Sequence, residues 1–421
     1  MRHFMRKKLP IGIQTFKIIR EENYYYVDKT MFIEKLLTEG SHYFLSRPRR
    51  FGKSLFLDTL KDLFEGKKSL FEGLYIYDKW DWSVKYPVIK LSFGGGVIRD
   101  AADLERRLQD WITSTKSQIT GDYESKTVSG CFYELIRKLF NQTGQRVVIL
   151  IDEYDKPILD RIEEPEKARE IRDALKDIYS VIKDSDKYIK FVFLTGVSKF
   201  SKVSLFSGLN NLKDITVDSR YSSICGYSDE DVDTVFAPEL EGLDRDKIRL
   251  WYNGYNWTGT AVYNPFDLLL LFDKREFLSY WFETGTPTFL VKLLSDRQTW
   301  VPELGKIETS ATILSTFDVG NIPTEALMFQ AGYLTFDTVN EVGSERFVTM
   351  RYPNLEVQQA LNGSLLGVMS NSQNEDVRYR YKLYLLLQKN DFPAMKELFH
   401  SFFASIPHDW YRKNQLAGYE G

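Results

Sequence analysis

Residues 42–64, HYFLSRPRRFGKSLFLDTLKDLF, join a short β-rich run, a basic loop ending in Gly-Lys-Ser and a stretch of helical period. That order commits the chain to a strand that turns sharply into a helix, a connection typical of parallel sheets with crossover helices. The rest of 43–217 repeats the rhythm. Further β-rich runs lie at 86–93 (YPVIKLSF), 146–152 (RVVILID), 187–196 (KYIKFVFLTG) and, more weakly, 212–218 (LKDITVD). Between the runs at 146–152 and 187–196, Ile171, Ala174, Leu175, Ile178, Val181 and Ile182 recur at helical spacing. A helix therefore joins these two strands, which are expected to be parallel.

The loop at 47–53 has the ending of a phosphate-binding loop, G-x-x-x-x-G-K-[ST], with Arg47 where the first glycine usually stands. Loop amides and the start of the following helix would converge on an anion. The residues read as nucleotide-binding are Arg49, Arg50, Phe51, Gly52, Lys53, Ser54 and Leu55. Lys53 would reach the β and γ phosphates, and Ser54 would ligate Mg²⁺. Arg47 is expected at the mouth of the loop, partly solvated, so that exchanging it for glycine leaves ATP affinity unchanged or lowers it by about 1 kcal/mol. Leu55, Leu57, Leu60, Leu63 and Phe64 sit largely at core-facing positions of the helix.

In RVVILIDEYD (146–155) an apolar strand ends in two acids, at the edge where open α/β sheets bind ligands. Asp152 is the expected Mg²⁺ ligand, and Glu153 the catalytic residue that orients and deprotonates the attacking water. Asp155 is a further carboxylate that could share the metal. A strand followed by solvated acids would look similar in isolation, but the acids and the loop occur in the order that phosphate chemistry needs. In FVFLTGVSKF (191–200), Thr195 ends another strand and is the candidate γ-phosphate sensor, with Ser198 second.

After about residue 225 the strand rhythm gives way to helical pattern, with Asn264 and Pro265 resembling a helix start. From 322 the pattern reads helix, strand, glycine-containing turn, strand, helix, an order suited to a winged-helix unit. The expected division is an ATPase core with its lead segment at 1–225, a helical lid at 226–300, a winged-helix-like segment at 301–365 and a helical segment at 366–421. With 421 residues, 43% hydrophobic and 27% charged, the chain has the composition of a multi-unit globular protein. A net charge of −3 requires any nucleic-acid affinity to come from a local basic surface. Two widely separated cysteines support neither a disulfide framework nor a thiolate metal site. No signal sequence or membrane-spanning run is read, so a cytoplasmic location is expected.

Taken with YYYVDKT (24–30), LSRPRRFGKSLFL (45–57), VVILIDEYDKPI (147–158), FLTGVSKFSKVSLFSGLNNL (193–212), WYNGYNW (251–257) and VYNPFDLL (262–269), these motifs make the chain resemble the bacterial AAA-ATPase-like family, related to the archaeal-type ATPases of the P-loop class. The resemblance implies a P-loop NTPase α/β fold with an additional strand in its parallel sheet, then a helical lid and a winged-helix-like segment. It also implies ATP and Mg²⁺ as ligands, and it makes arginine at position 47 a family feature. Many relatives continue into a nuclease-like domain of the PD-(D/E)XK type. No carboxylate pair followed by E-x-K on a strand appears after 370, so nuclease activity is not expected of this chain. YYYVDKT could cover the nucleotide with its tyrosines, Asp28 or Lys29, or simply brace the sheet; WYNGYNW reads as packed core.

The function expected is an ATP-binding, slowly hydrolysing ATPase that acts as a switch on a protein partner, DNA or a fused domain, with an oligomer compatible. The alternative is a non-hydrolysing scaffold that binds nucleotide or nucleic acid. Retention of Glu153 favours hydrolysis, and few basic residues beyond Arg346 and Arg351 mark the expected wing.

Overall fold

The computed structural model describes residues 6–199, 211–285, 305–315, 322–369 and 375–405, with the single positions 290, 294 and 319. Five strands, β1 His42–Ser46, β2 Val88–Ser92, β3 Val147–Asp152, β4 Ile189–Gly196 and β5 Lys213–Asp214, form a sheet in the order β2-β3-β4-β1-β5. Every neighbouring pair is parallel. The strands therefore all end at one edge, and β4 lies between the loop-bearing β1 and the acidic β3. Every residue of β1 and β3 is buried, as strands covered on both faces require.

Seven helices accompany this sheet: α1 Phe16–Glu21, α2 Thr30–Glu39, α3 Lys53–Phe64, α4 Ala101–Ser114, α5 Val128–Thr143, α6 Lys156–Leu159 and α7 Pro165–Asp184. The period read in α7 holds, with Ile171, Leu175, Ile178, Val181 and Ile182 buried and Ala174 half-buried. In α3, Leu57, Leu60, Leu63 and Phe64 are fully buried, whereas Leu55 is half-buried on the ligand side. The motif-led reading did not single out α4 and α5, which fill the crossover between β2 and β3.

Beyond the sheet, helices Asp229–Val235, Arg245–Tyr252, Pro265–Lys274 and Tyr280–Gly285 follow. Asn264 caps the third of these, its side chain accepting the Phe266 N–H at 2.9 Å, with Pro265 at the first helical position. Then come helix Thr324–Ala331, strands β7 Thr335–Val342 and β8 Glu345–Arg351, and helix Leu355–Met369. This is the element order read from the sequence, with one addition: β6 Ile307–Ser310 pairs antiparallel with β8 to make a three-stranded sheet, β6-β8-β7. Its residues IETS are short and only half-buried, which leaves no alternating pattern to read. Helices Glu375–Gln388 and Phe392–Ser405 end the described chain.

One apolar cluster runs through the parallel sheet and on through Trp257, Trp281, Tyr333 and Leu361. A second gathers Tyr25 and Val27 of the lead segment with Val232, Phe236, Leu268 and Phe272. No described helix is long and apolar enough to cross a membrane.

Candidate functional site

β1 delivers the chain into the loop at 47–52, and α3 leaves it. Arg50 (φ 70°) and Gly52 (φ 91°) both take left-handed backbone, Gly52 as the residue immediately before α3. Such turns direct successive N–H groups toward one point, which suits an anion. Glycine enters this region freely; for arginine it costs energy unless the surroundings hold it. Here the Arg50 guanidinium lies 4.8 Å over the Phe266 ring.

The loop opens into a cavity of about 390 Å³ at the edge where the parallel strands end, a size suited to a small ligand. Arg49, Arg50, Phe51, Gly52, Lys53, Ser54 and Leu55 all line it, so the seven residues read as nucleotide-binding are brought together. Glu153 lines it too, in a left-handed conformation (φ 52°), its N–H donating to Asp152 Oδ1 at 3.1 Å. Asp152 is buried at the end of β3 and is not among the lining residues. Thr195 is fully buried in β4, also away from the lining, and its hydroxyl has no hydrogen-bond partner among the described residues. The stretch 200–210 of the third motif lies outside the described residues.

Lys53 is folded back on its own loop. Its ammonium donates to the carbonyls of Arg47 at 2.9 Å and Pro48 at 2.8 Å. Burial lowers its pKa, opposed chiefly by the negative charge of Asp152.

Arg47 departs most from expectation. It is fully buried rather than partly solvated, and it points away from the cavity into the protein. Its guanidinium donates to the carbonyls of Ser46 (2.8 Å), Thr216 (2.7 Å) and Tyr221 (3.1 Å) and lies 4.0 Å from the Trp257 ring centre. No carboxylate pairs with it among the described residues. Desolvation pulls its pKa down to about 10. Arg47 is a bolt between β1, the segment after β5 and the WYNGYNW stretch. The Phe51 ring is likewise packed edge-on against Tyr255 and Trp257, so only its backbone is free to meet a ligand. Tyr252, Tyr255 and Trp257 are buried, in line with the packed-core reading.

Asp155 is buried and does not line the cavity. Its carboxylate accepts the Val197 N–H at 3.1 Å and the Ser198 N–H at 2.5 Å, tying down the exit of β4. Burial pushes its pKa up to about 6 despite those bonds. Gly196 is needed beside it, since a Cβ there would lie 2.3 Å from Asp155 Oδ1.

The cavity has walls that motif spacing did not reveal. Pro10, Gly12, Ile13 and Gln14 contribute from a segment without any recognisable pattern, and Trp281 from far along the chain. Tyr25, Tyr26 and Lys29 of YYYVDKT line it as well, whereas Asp28 accepts the Thr30 and Tyr75 N–H groups. Lys29 is ion-paired with Asp231 at 2.7 Å, joining the lead segment to helix Asp229–Val235. On the opposite side, Gly332 (φ 93°) presses on the loop: a Cβ there would sit 2.8 Å from the Pro48 side chain.

By donor type, though not as neighbours on one wall of the cavity, Ser54 and Asp152 suit a hard divalent cation held partly by a ligand. One hydroxyl (Ser54) and one carboxylate (Asp152) are what Mg²⁺ commonly takes from a protein when phosphates and water fill its other positions. Among the described residues there is no cluster of three or more His, Cys, Asp or Glu side chains that would bind a metal alone.

The sequence profile of the predicted AAA-ATPases matches residues 10–206. An uncharacterized protein in the vnfD 5' region of Azotobacter chroococcum mcd 1 is 61% identical over 417 residues, covering 99% of this chain and 81% of that protein. The chain belongs to the predicted AAA-ATPase family.

Proposed function

We propose that this family member binds ATP with Mg²⁺ in the cavity above the parallel sheet, hydrolyses it slowly, and uses the exchange as a switch. The observation that carries the reading is the loop itself: left-handed Arg50 and Gly52, the start of α3, and the cationic Arg49, Arg50 and Lys53 on the wall of one cavity. Arg49 and Arg50 are exposed and meet the phosphates electrostatically. Lys53 leaves the Arg47 and Pro48 carbonyls for the β and γ oxygens. Ser54 and Asp152 would hold the magnesium ion, which when bound neutralises charge on the phosphates. Glu153, on the cavity wall, orients and deprotonates water. Thr195, one strand from the loop and with an unsatisfied hydroxyl, is the residue we assign to sensing the terminal phosphate.

We assign the lid role to 226–300 and a winged-helix-like role to 301–365. The Lys29–Asp231 ion pair and the contact of Gly332 with Pro48 support a route from nucleotide to both. For the partner, protein is the better reading than DNA. Arg346 pairs with Glu341 and Arg351 with Asp337, which neutralises both positive charges of the β7–β8 hairpin and leaves Glu345 over, while Val342 and Phe347 stand exposed on it. A non-hydrolysing scaffold is the second reading, favoured by the Lys53 ammonium already satisfied within its loop.

Calorimetry of Mg-ATP binding to the purified chain and to Lys53→Ala, with hydrolysis followed with and without DNA, tests the reading. Binding by the parent and none by Lys53→Ala is expected. Equal affinity in both would remove the phosphate-loop assignment, and binding without turnover would leave the scaffold.

A further inference from the structure

Helix Pro265–Lys274 and helix Leu355–Met369 each bury an acid completely, Asp267 and Glu356. Neither carboxyl oxygen of Asp267 makes a hydrogen bond of ordinary geometry among the described residues; the Trp281 backbone N–H acts on it only weakly, and the side chain within its hydrogen-bonding reach is Glu356. Glu356 accepts the Trp281 backbone N–H at 2.9 Å. The indole Nε1–H of the same tryptophan donates to the Arg49 carbonyl of the phosphate loop at 3.2 Å. One residue thus connects the acids to the nucleotide site.

The groups facing the pair are neutral. Tyr252 and Tyr255 feel both acids, Asn354 lies beside the Tyr255 phenol, and Tyr333 stands behind Tyr255. No described lysine, arginine or histidine pairs with Asp267. Two adjacent buried carboxylates with no cation paired to them repel one another and lose much of their solvation, a cost that one bound proton removes while supplying a donor between them.

We propose that Asp267 and Glu356 share one proton, and that this protonated pair is a positioning element that holds Trp281 against the phosphate loop. The consequence for binding rests on the nucleotide reading above; the proton itself does not. Burial, and then the charge of Glu356, hold Asp267 well above the ordinary carboxylate range. The pair's contribution to stability is therefore full below the unfolded carboxylate pKa and is lost as pH rises through the folded value. Asp155, with a pKa of about 6, is half ionised there and mostly ionised by about pH 7, so the alkaline side is nearly free of it. Lys53, whose pKa burial lowers, titrates in parent and variants alike, and a difference between their profiles isolates the pair.

The test follows thermal unfolding and Mg-ATP affinity of the full chain from about pH 7 to about pH 9.5 in the parent, Asp267→Asn and Asp267→Leu. The asparagine amide is a permanent donor. Asp267→Asn should hold its unfolding midpoint as pH rises where the parent's falls, and at the alkaline end should bind ATP at least about tenfold more tightly than the parent. Asp267→Leu, which offers Glu356 no donor from position 267, should not restore binding. An asparagine variant that is less stable at every pH with the parent's slope would overturn the proposal, since it would mean an ionised, paired Asp267. If the asparagine variant does not fold, the infrared band of a protonated carboxyl in the parent decides: its absence at about pH 7 refutes the shared proton. Should the parent bind no ATP, the nucleotide reading fails while the stability profiles still decide the proton.

Discussion

Replacing Arg47 with glycine should destabilise the fold by about 3–5 kcal/mol, well beyond what its place in a basic loop suggests. The side chain is fully buried and supplies donors to three main-chain carbonyls, those of Ser46, Thr216 and Tyr221. Leaving a buried acceptor unpaired costs about 1–3 kcal/mol. Loss of the desolvated contact with the Trp257 ring adds about 2 kcal/mol. Two effects return part of the sum: the guanidinium no longer has to be stripped of water, and water can enter the vacated space. Urea unfolding of the parent, Arg47→Gly and Arg47→Met by circular dichroism measures the net value. Arg47→Met should recover part of the packing and none of the hydrogen bonds, and so fall between the other two. A loss below about 1 kcal/mol in Arg47→Gly would refute the reasoning, because that is the scale of a solvated surface charge. ATP affinity should be compared at a temperature where the variant is folded, so that loss of binding is not confused with loss of fold.

Glu153→Gln should retain Mg-ATP and lose turnover by roughly 10²–10⁴-fold in a phosphate-release assay, whereas Asp152→Asn should weaken only Mg²⁺-dependent binding; turnover at the parent rate in Glu153→Gln would remove it as the base. Because burial raises the Asp155 pKa to about 6, stability should fall as pH rises from about 4 to about 6. Asp155→Asn should abolish that part of the slope in thermal unfolding, and an unchanged slope would place the titration elsewhere.

The sheet was legible because it follows from local pattern: β1, β3 and β4 are apolar runs, and α7 carries a clear stripe. That residues 49–55 share one cavity wall was legible because their spacing dictates a tight turn into a helix. Arg47 was misjudged because nothing local distinguishes an arginine in a basic loop from one that turns inward; Trp257 and Tyr221, far along the chain, decide which it is. Asp155 was misjudged for a similar reason, since two acids three residues apart at a strand end look alike until β4 claims one of them. Pro10–Gln14 and Trp281 carry no spacing signal, because a cavity wall needs only shape and proximity. β6 escaped because a short, half-buried strand need not alternate.

The contact of Gly332 and Trp281 with the loop also bears on how the protein is made. Residues 47–54 leave the ribosome long before residues 281, 332 and 356, and at roughly 5–20 residues per second the interval is on the order of tens of seconds. Throughout that time the parallel sheet can assemble, but its basic loop lacks the indole at Arg49 and the wall behind Pro48. The nascent chain thus carries an unfinished loop and cavity, and their completion reports that synthesis has passed residue 332.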